Sequence, residues 1–155
     1  MMMEWLSRSH VREWWGEAPS PEEAREEFLP IIAGNPDHQC FIAYKDGRPR
    51  GYIQWYVATA FHKEGWWLDE QDPGVRGIDQ YLADADNLGK GQGTEMIRNF
   101  IAHIFEDPSV SRIQTDPSPG NARAIRCYQK SGFVASHEAD TPGGRGLVMY
   151  CERPR

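Results

Sequence analysis

Cysteine is scarce in this chain. Cys40, Cys127 and Cys151 are far apart and odd in number, so no disulfide framework or paired CxxC metal site is expected, and a reducing cytoplasm is the natural compartment. Long apolar runs are missing too. Met1-Met2-Met3 passes directly into Glu4-Trp5, and nothing in the sequence predicts a signal peptide or a membrane span. Basic charge is in short supply, with 17 Lys and Arg against 23 Asp and Glu for a formal net charge of −6. That balance argues against a nucleic-acid binder relying on bulk positive charge; it suits a cationic small-molecule partner, and many proteins are mildly acidic for no such reason. The five histidines, at 10, 38, 62, 103 and 137, have no ligand spacing, so no metal site is expected, nor a Ser-His-Asp arrangement. No repeat or linker divides the 155 residues. Residues 1–155 read as a single domain with a sizeable core, expected as a monomer or weak homodimer.

Tryptophan, by contrast, is plentiful, at positions 5, 14, 15, 55, 66 and 67. The pairs Trp14-Trp15 and Trp66-Trp67 suit platforms for a ring-shaped ligand, and also ordinary core filling. Residues 4–16 predict one or two short helices ending at Gly16. Ser20-Pro21-Glu22-Glu23 opens a further helix with a capping box. Gln39 to Tyr44 and Arg50 to Thr59 are β-rich runs joined through Asp46-Gly47, a hairpin signal. Phe61 to Gly74 reads as a long loop, and Val75 to Ala83 as a strand. A helix beginning at Thr94 carries Met96, Ile97, Phe100, Ile101, Ile104 and Phe105 on one face. Val110 to Thr115 is a strand, Asn121 to Lys130 a helix, and Phe133 to Asp140 with Gly146 to Glu152 a closing hairpin. The order predicts a mixed α/β or α+β domain.

The segment Leu88-Gly89-Lys90-Gly91-Gln92-Gly93-Thr94 precedes a helix, where glycines allow close backbone approach and unpaired N–H groups attract an anion. No Gly-Lys-Ser/Thr ends it, so it is not a Walker loop, and it makes a poor dinucleotide fingerprint because the early βαβ context and the acidic ribose partner are missing. Strand, Gly-x-Gly-x-Gly and helix instead resemble the pyrophosphate loop of the GNAT acetyltransferase superfamily, with Leu88 where Gln or Arg is frequent there. Further stretches resemble the aminoglycoside 6'-N-acetyltransferases within it: Glu4-Trp5-Leu6 through Trp14-Trp15-Gly16, Trp66-Trp67 with Asp72 to Gln80, Ile113 to Pro119, and Asn121 to Tyr128. The likeness covers nearly the whole chain. It implies an α+β fold with a central, mostly antiparallel sheet flanked by helices, here without the usual first strand: either that strand is absent, leaving the first hairpin strand as a sheet edge, or the chain is truncated. Phe61 to Gly65 also departs from the family in detail.

The resemblance implies acetyl-CoA as cosubstrate and an aminoglycoside amine as acceptor, with direct transfer in a ternary complex. Gly89, Lys90, Gly91, Gly93 and Thr94 would hold the coenzyme pyrophosphate, and Asn121 would meet the pantetheine arm or only cap its helix. A backbone N–H on the strand around Gln80, Tyr81 and Leu82 would stabilise the oxyanion. Tyr128 would serve the leaving sulfur, although a helix tyrosine also simply packs on a sheet. Asp79, a carboxylate mid-strand in a run suited to burial, needs a partner. That partner is the acceptor amine, or structurally Arg76 or Lys90. Asp116 would meet substrate, and it also suits a helix N-cap or an Asx-turn before Pro117. Trp14, Trp15, Trp66 and Trp67 would wall the sugar rings. The acidic residues from Glu64 to Asp86 would attract a polycation, unless they form only a solvated loop. Two other readings stand beside this one: an acetyltransferase for a polyamine, peptide or siderophore-like amine, and an impaired acyl-CoA-binding module.

Overall fold

The computed structural model describes residues 1–155. Two short helices, α1 (Met2–Leu6) and α2 (Ser9–Trp15), end at Gly16, whose φ of 81° only glycine adopts easily. In α3 (Pro21–Ile32) Ser20 and Glu23 form the capping box expected from the sequence, worth about 1 kcal/mol. Strands β1 (His38–Lys45) and β2 (Arg48–Val57) are joined by Asp46 and Gly47, both at positive φ, the geometry of a tight hairpin turn. A 3-10 segment, Ala58–Glu64, replaces the first part of the expected loop. After β3 (Val75–Leu82) come α4 (Gln92–Ile104), β4 (Arg112–Thr115), α5 (Ala122–Lys130) and the hairpin β5 (Val134–Thr141) and β6 (Gly144–Glu152). Helix α4 starts two residues before Thr94, because Gly91 takes the N-cap in a left-handed conformation.

The six strands form one sheet in the order β1-β2-β3-β4-β6-β5, antiparallel except for the parallel pair β3 and β4. Strand β1 lies at one end of this order. Alternation along the strands sends side chains to two cores. Ile53, Ile78, Ile113 and Met149 meet the apolar stripe of α4 and Tyr128 of α5 on one face. Tyr52 and Tyr81 meet Trp5, Leu6 and Val11 on the other. Arg8 and His10 tie the N-terminal helices to the end of β3, through the carbonyls of Ala83 (2.7 Å) and Leu82 (2.9 Å).

The β3–β4 ladder is short. Its pairs are Val75 with Arg112, Arg76 with Ile113 and Gly77 with Gln114. Beyond Thr115 the chain runs into Asp116-Pro117, and a proline cannot donate to a ladder, so the two strands separate there. That separation is the feature that positions the site.

Candidate active site

The carbonyls of Gly74 and Ile78 are taken from the β4 side, by Ser111 N–H (3.0 Å) and Thr115 Oγ1 (3.1 Å), and Leu82 offers its carbonyl to His10. The Ala83 amide donates to Arg50 of β2 (2.8 Å). Backbone groups alternate along a strand, so even-numbered residues of β3 turn their N–H toward the opening and odd-numbered ones toward β2. In the stretch Gln80 to Leu82, where an amide is expected to hold an oxyanion, those of Gln80 and Leu82 therefore face the opening. The Tyr81 amide is committed to the ladder with Tyr52, which is a correction to its expected role.

Beside the opening lies a cleft of about 330 Å³, lined by β3, the glycine loop, α2 and α5. Gly89 and Gly91 have φ of 71° and 79°, which curls the loop so that successive amides converge. The first intrahelical bond of α4 runs from Glu95 N–H to Gly91 O, leaving the N–H groups of Gln92, Gly93 and Thr94 without a helical acceptor. A Cβ on Gly93 would stand 3.1 Å from Cys127 Sγ, so glycine here lets α4 and α5 touch. Thr94 Oγ1 meets the same sulfur at 3.4 Å. Lys90 is exposed at the rim. Asn121 lines the cleft while its side-chain oxygen caps α5 through Ala124 N–H (3.2 Å). Arg123, Arg126 and Lys130 also line it and supply local positive charge in an acidic protein. Their i, i+3, i+7 spacing, legible in the sequence, puts them on one helix face.

Tyr128 is buried against Phe133 where α5 meets the sheet. Burial pushes its phenol up, the polar side chains of Thr115 and Gln80 oppose that, and the Asp79 charge adds to it. Asp79 pairs with neither Arg76 nor Lys90. Its Oδ2 accepts one hydrogen bond, from Gln54 Nε2 at 2.9 Å. Burial raises the Asp79 carboxyl, while Gln54 and the nearby His38 pull it down. Asp116, next to Gly146, is raised to about 8, by burial first and by the Asp79 charge second. Two carboxyl groups thus share one partly dry region and titrate as a pair.

Because its folded value lies above the unfolded value of about 3.9, Asp116 contributes stability that is fully present below that pH and lost as pH rises through about 8. Asp116→Asn is therefore expected to melt at a higher temperature than the parent at pH 8.5, with the gap closing toward pH 4, as a calorimetric pH series would show.

The tryptophan pairs separate. Trp14 and Trp15 line the cleft with the glycine loop. Trp67 donates its indole N–H to Tyr56 OH (3.0 Å), and Trp66 lies against Gly143 at the β5–β6 turn. Trp67 has a φ of 53°, a strained conformation for a bulky residue that costs on the order of 1–3 kcal/mol. Much of the acidic run turns out to be structural. Glu70 pairs with Arg112 (2.6 Å), Asp72 accepts from Ser111 Oγ (2.6 Å) and the Gly74 amide (2.7 Å), and Asp84 pairs with Arg8.

A cradle of amides and cations leads into a slot with two free strand amides, and beyond the slot lie a protonated phenol and a carboxylate pair. Transfer from a phosphate-bearing thioester to a cationic amine asks for these groups in this sequence, which places the protein among the acyl-CoA-dependent N-acyltransferases. A family model described as acetyltransferase (GNAT) domain matches residues 1–141, and the chain belongs to that family.

The chain is 49% identical over 156 residues to aminoglycoside N(6')-acetyltransferase type 1 of Klebsiella pneumoniae, covering 99% of this chain and 77% of that protein. It is 56% identical over 88 residues to a kanamycin resistance protein of Rhizobium radiobacter, covering 57% of this chain and 82% of that one. The crystal structure of aminoglycoside acetyltransferase AAC(6')-Ib with coenzyme A and kanamycin superposes with a TM-score of 0.92 at 48% identity, over 99% of this chain and 88% of that one.

Proposed function

We infer that this protein transfers the acetyl group of acetyl-CoA to the 6'-amine of aminoglycosides and thereby confers resistance to them. One observation carries the choice of acceptor: the 49% identity to an N(6')-acetyltransferase extends over 99% of the chain.

The coenzyme pyrophosphate sits on the Gly89–Thr94 amides, flanked by Arg123, Arg126 and Lys130, with the pantetheine arm passing Asn121 into the β3–β4 opening. The thioester carbonyl then lies against the Gln80 and Leu82 amides, which stabilise the tetrahedral oxyanion. Asp79 receives the acceptor ammonium, orients it and takes its proton, directly or through water. The raised carboxyl makes it a better base than an exposed aspartate. Asp116 holds a second ammonium, and Trp66 and Trp67 wall the sugar rings. Trp14 and Trp15 flank the coenzyme half of the cleft. Tyr128 stays protonated through the physiological range and donates a hydrogen bond to the departing sulfur. Direct transfer leaves no acyl-enzyme, and Cys127 is spent on contacts between α4 and α5. No helix is long and apolar enough to cross a membrane. The free Cys40, Cys127 and Cys151 fit a reducing cytoplasm.

Because Asp116 is largely protonated at pH 7 in the free protein, a bound polycation drives its proton off. Calorimetric titration with kanamycin in buffers of different ionisation enthalpy is expected to show proton release at pH 7 that Asp116→Asn abolishes. The function itself is tested by thiol release from acetyl-CoA with kanamycin-type acceptors, polyamines and peptides. Turnover with aminoglycosides bearing a free 6'-amine is expected, and turnover with polyamines or peptides alone would replace this acceptor.

A further inference from the structure

The pairing registers place Cys40 opposite Gln54, and Gln54 opposite Asp79, so these three side chains form one row across β1, β2 and β3 on a single face of the sheet. Tyr52 lies two residues along β2, and His38 two residues along β1, on the same face. All five are linked. Gln54 Nε2 donates to Asp79 (2.9 Å); Gln54 Oε1 lies 2.5 Å from Tyr52 OH and 2.9 Å from His38 Nε2; and Cys40 Sγ lies 2.8 Å from Tyr52 OH.

The chemistry of the groups gives this row a direction. An ionised Asp79 only accepts, so the Gln54 NH2 must face it and Oε1 must face the other way. That oxygen has two lone pairs, and two donors meet them: the Tyr52 hydroxyl and His38 Nε2, which must therefore carry a proton. With its proton spent on Gln54, Tyr52 leaves Cys40 S–H to donate in turn. Every donor in the row points toward Asp79, and hydrogen bonds aligned in this way reinforce one another. Apart from Gln54, nothing in the structure donates a hydrogen bond to that carboxylate.

We propose that Gln54 is the positioning residue of the reaction, holding the Asp79 carboxylate in the orientation that meets the acceptor amine, with His38, Tyr52 and Cys40 holding Gln54. Edge strand β1 thereby takes part in catalysis without touching either substrate. The proposal rests on the reading of Asp79 as the group that receives the amine. The titratable groups facing Asp79 are His38 from β1, Tyr52 and Tyr56 from β2, Asp116 beyond β4 and Tyr128 from α5. Burial keeps all three tyrosines protonated, and Asp116, raised to about 8 by burial first and the Asp79 charge second, is the neighbouring carboxyl.

Gln54→Leu keeps the volume and removes both sets of hydrogen bonds. It is expected to lower kcat/KM for kanamycin by about 10- to 100-fold, with the KM for acetyl-CoA unchanged. The acid limb of the pH profile should move up by about one pH unit, because the ionised form of Asp79 has lost its donor. His38→Ala, on the edge strand, is expected to move the limb in the same direction by less, and it decides the matter if Gln54→Leu does not fold. In parallel, the Asp79 carboxyl carbon is titrated by NMR without substrate, its resonance assigned with Asp79→Asn. A raised Asp79 pKa in the variants together with the moved limb supports the relay. An acid limb and an Asp79 titration that both stay at their wild-type positions in a folded variant overturn it. Should wild type acetylate no aminoglycoside, the functional reading falls, and the substrate-free titration still decides whether Gln54 sets Asp79.

Discussion

Asp79→Asn is expected to lower kcat/KM for kanamycin by about 10²- to 10⁴-fold, the range in which positioned acid–base groups contribute. The KM for acetyl-CoA should stay within about twofold of wild type, since the lost interaction belongs to the acceptor. Asparagine keeps the shape and accepts a weaker hydrogen bond from Gln54, but it can neither pair with an ammonium nor take its proton. The variant also removes one of two carboxyl groups that oppose each other, so Asp116 is expected to ionise more easily and retain part of the acceptor binding. Steady-state kinetics against each substrate separate these effects: a large fall in kcat accompanies a modest rise in acceptor KM. A variant with wild-type kcat would remove Asp79 from the chemistry.

Tyr128→Phe should reduce kcat by about 10²- to 10³-fold, the usual cost of one donor aimed at charge that develops in the transition state. The raised phenol decides what kind of donor it is. A thiol ionises near about 8.5 and an unperturbed phenol near about 10, so full proton transfer to the thiolate is uphill by at least about 2 kcal/mol, and burial adds to that. On the proposed reading Tyr128 would stabilise the leaving sulfur by donating a hydrogen bond, and the proton that finally reaches the thiol would come from the amine by way of solvent. Coenzyme A binding, measured by calorimetry, should be nearly unchanged, because the ground-state thioester sulfur carries little charge. Loss of coenzyme binding in step with kcat would instead mark Tyr128 as a packing residue.

Much of this site can be read from the chain. Asp79 stands out as a carboxylate inside Val75 to Ala83, where its neighbours are suited to burial. Gly89 and Gly91 sit where positive φ is needed, and Pro117 marks where β4 must leave its partner. The Asp46-Gly47 turn and the Ser20 capping box depend on a few adjacent residues, and both formed as local chemistry dictates. What escaped sequence reading depends on register. Cys40, Gln54 and Asp79 are separated by 14 and 25 positions, and only the pairing of three strands puts them in one row. Within their strands they look like ordinary alternating residues. The acidic run failed for a related reason. Glu70, Asp72 and Asp84 look like free charge until the fold brings Arg112, Ser111 and Arg8 to them. A strand offers an opening only every second amide, so Tyr81, between Gln80 and Leu82, turns its N–H to Tyr52 instead.

The most direct measurement is of the product. Purified protein is incubated with acetyl-CoA and kanamycin, and the product is examined by mass spectrometry and NMR. A single acetyl group on the 6'-amine, formed in step with coenzyme A release and lost in Asp79→Asn, is the predicted result. Acetylation at another amine, or coenzyme release with no acetylated kanamycin, would contradict it.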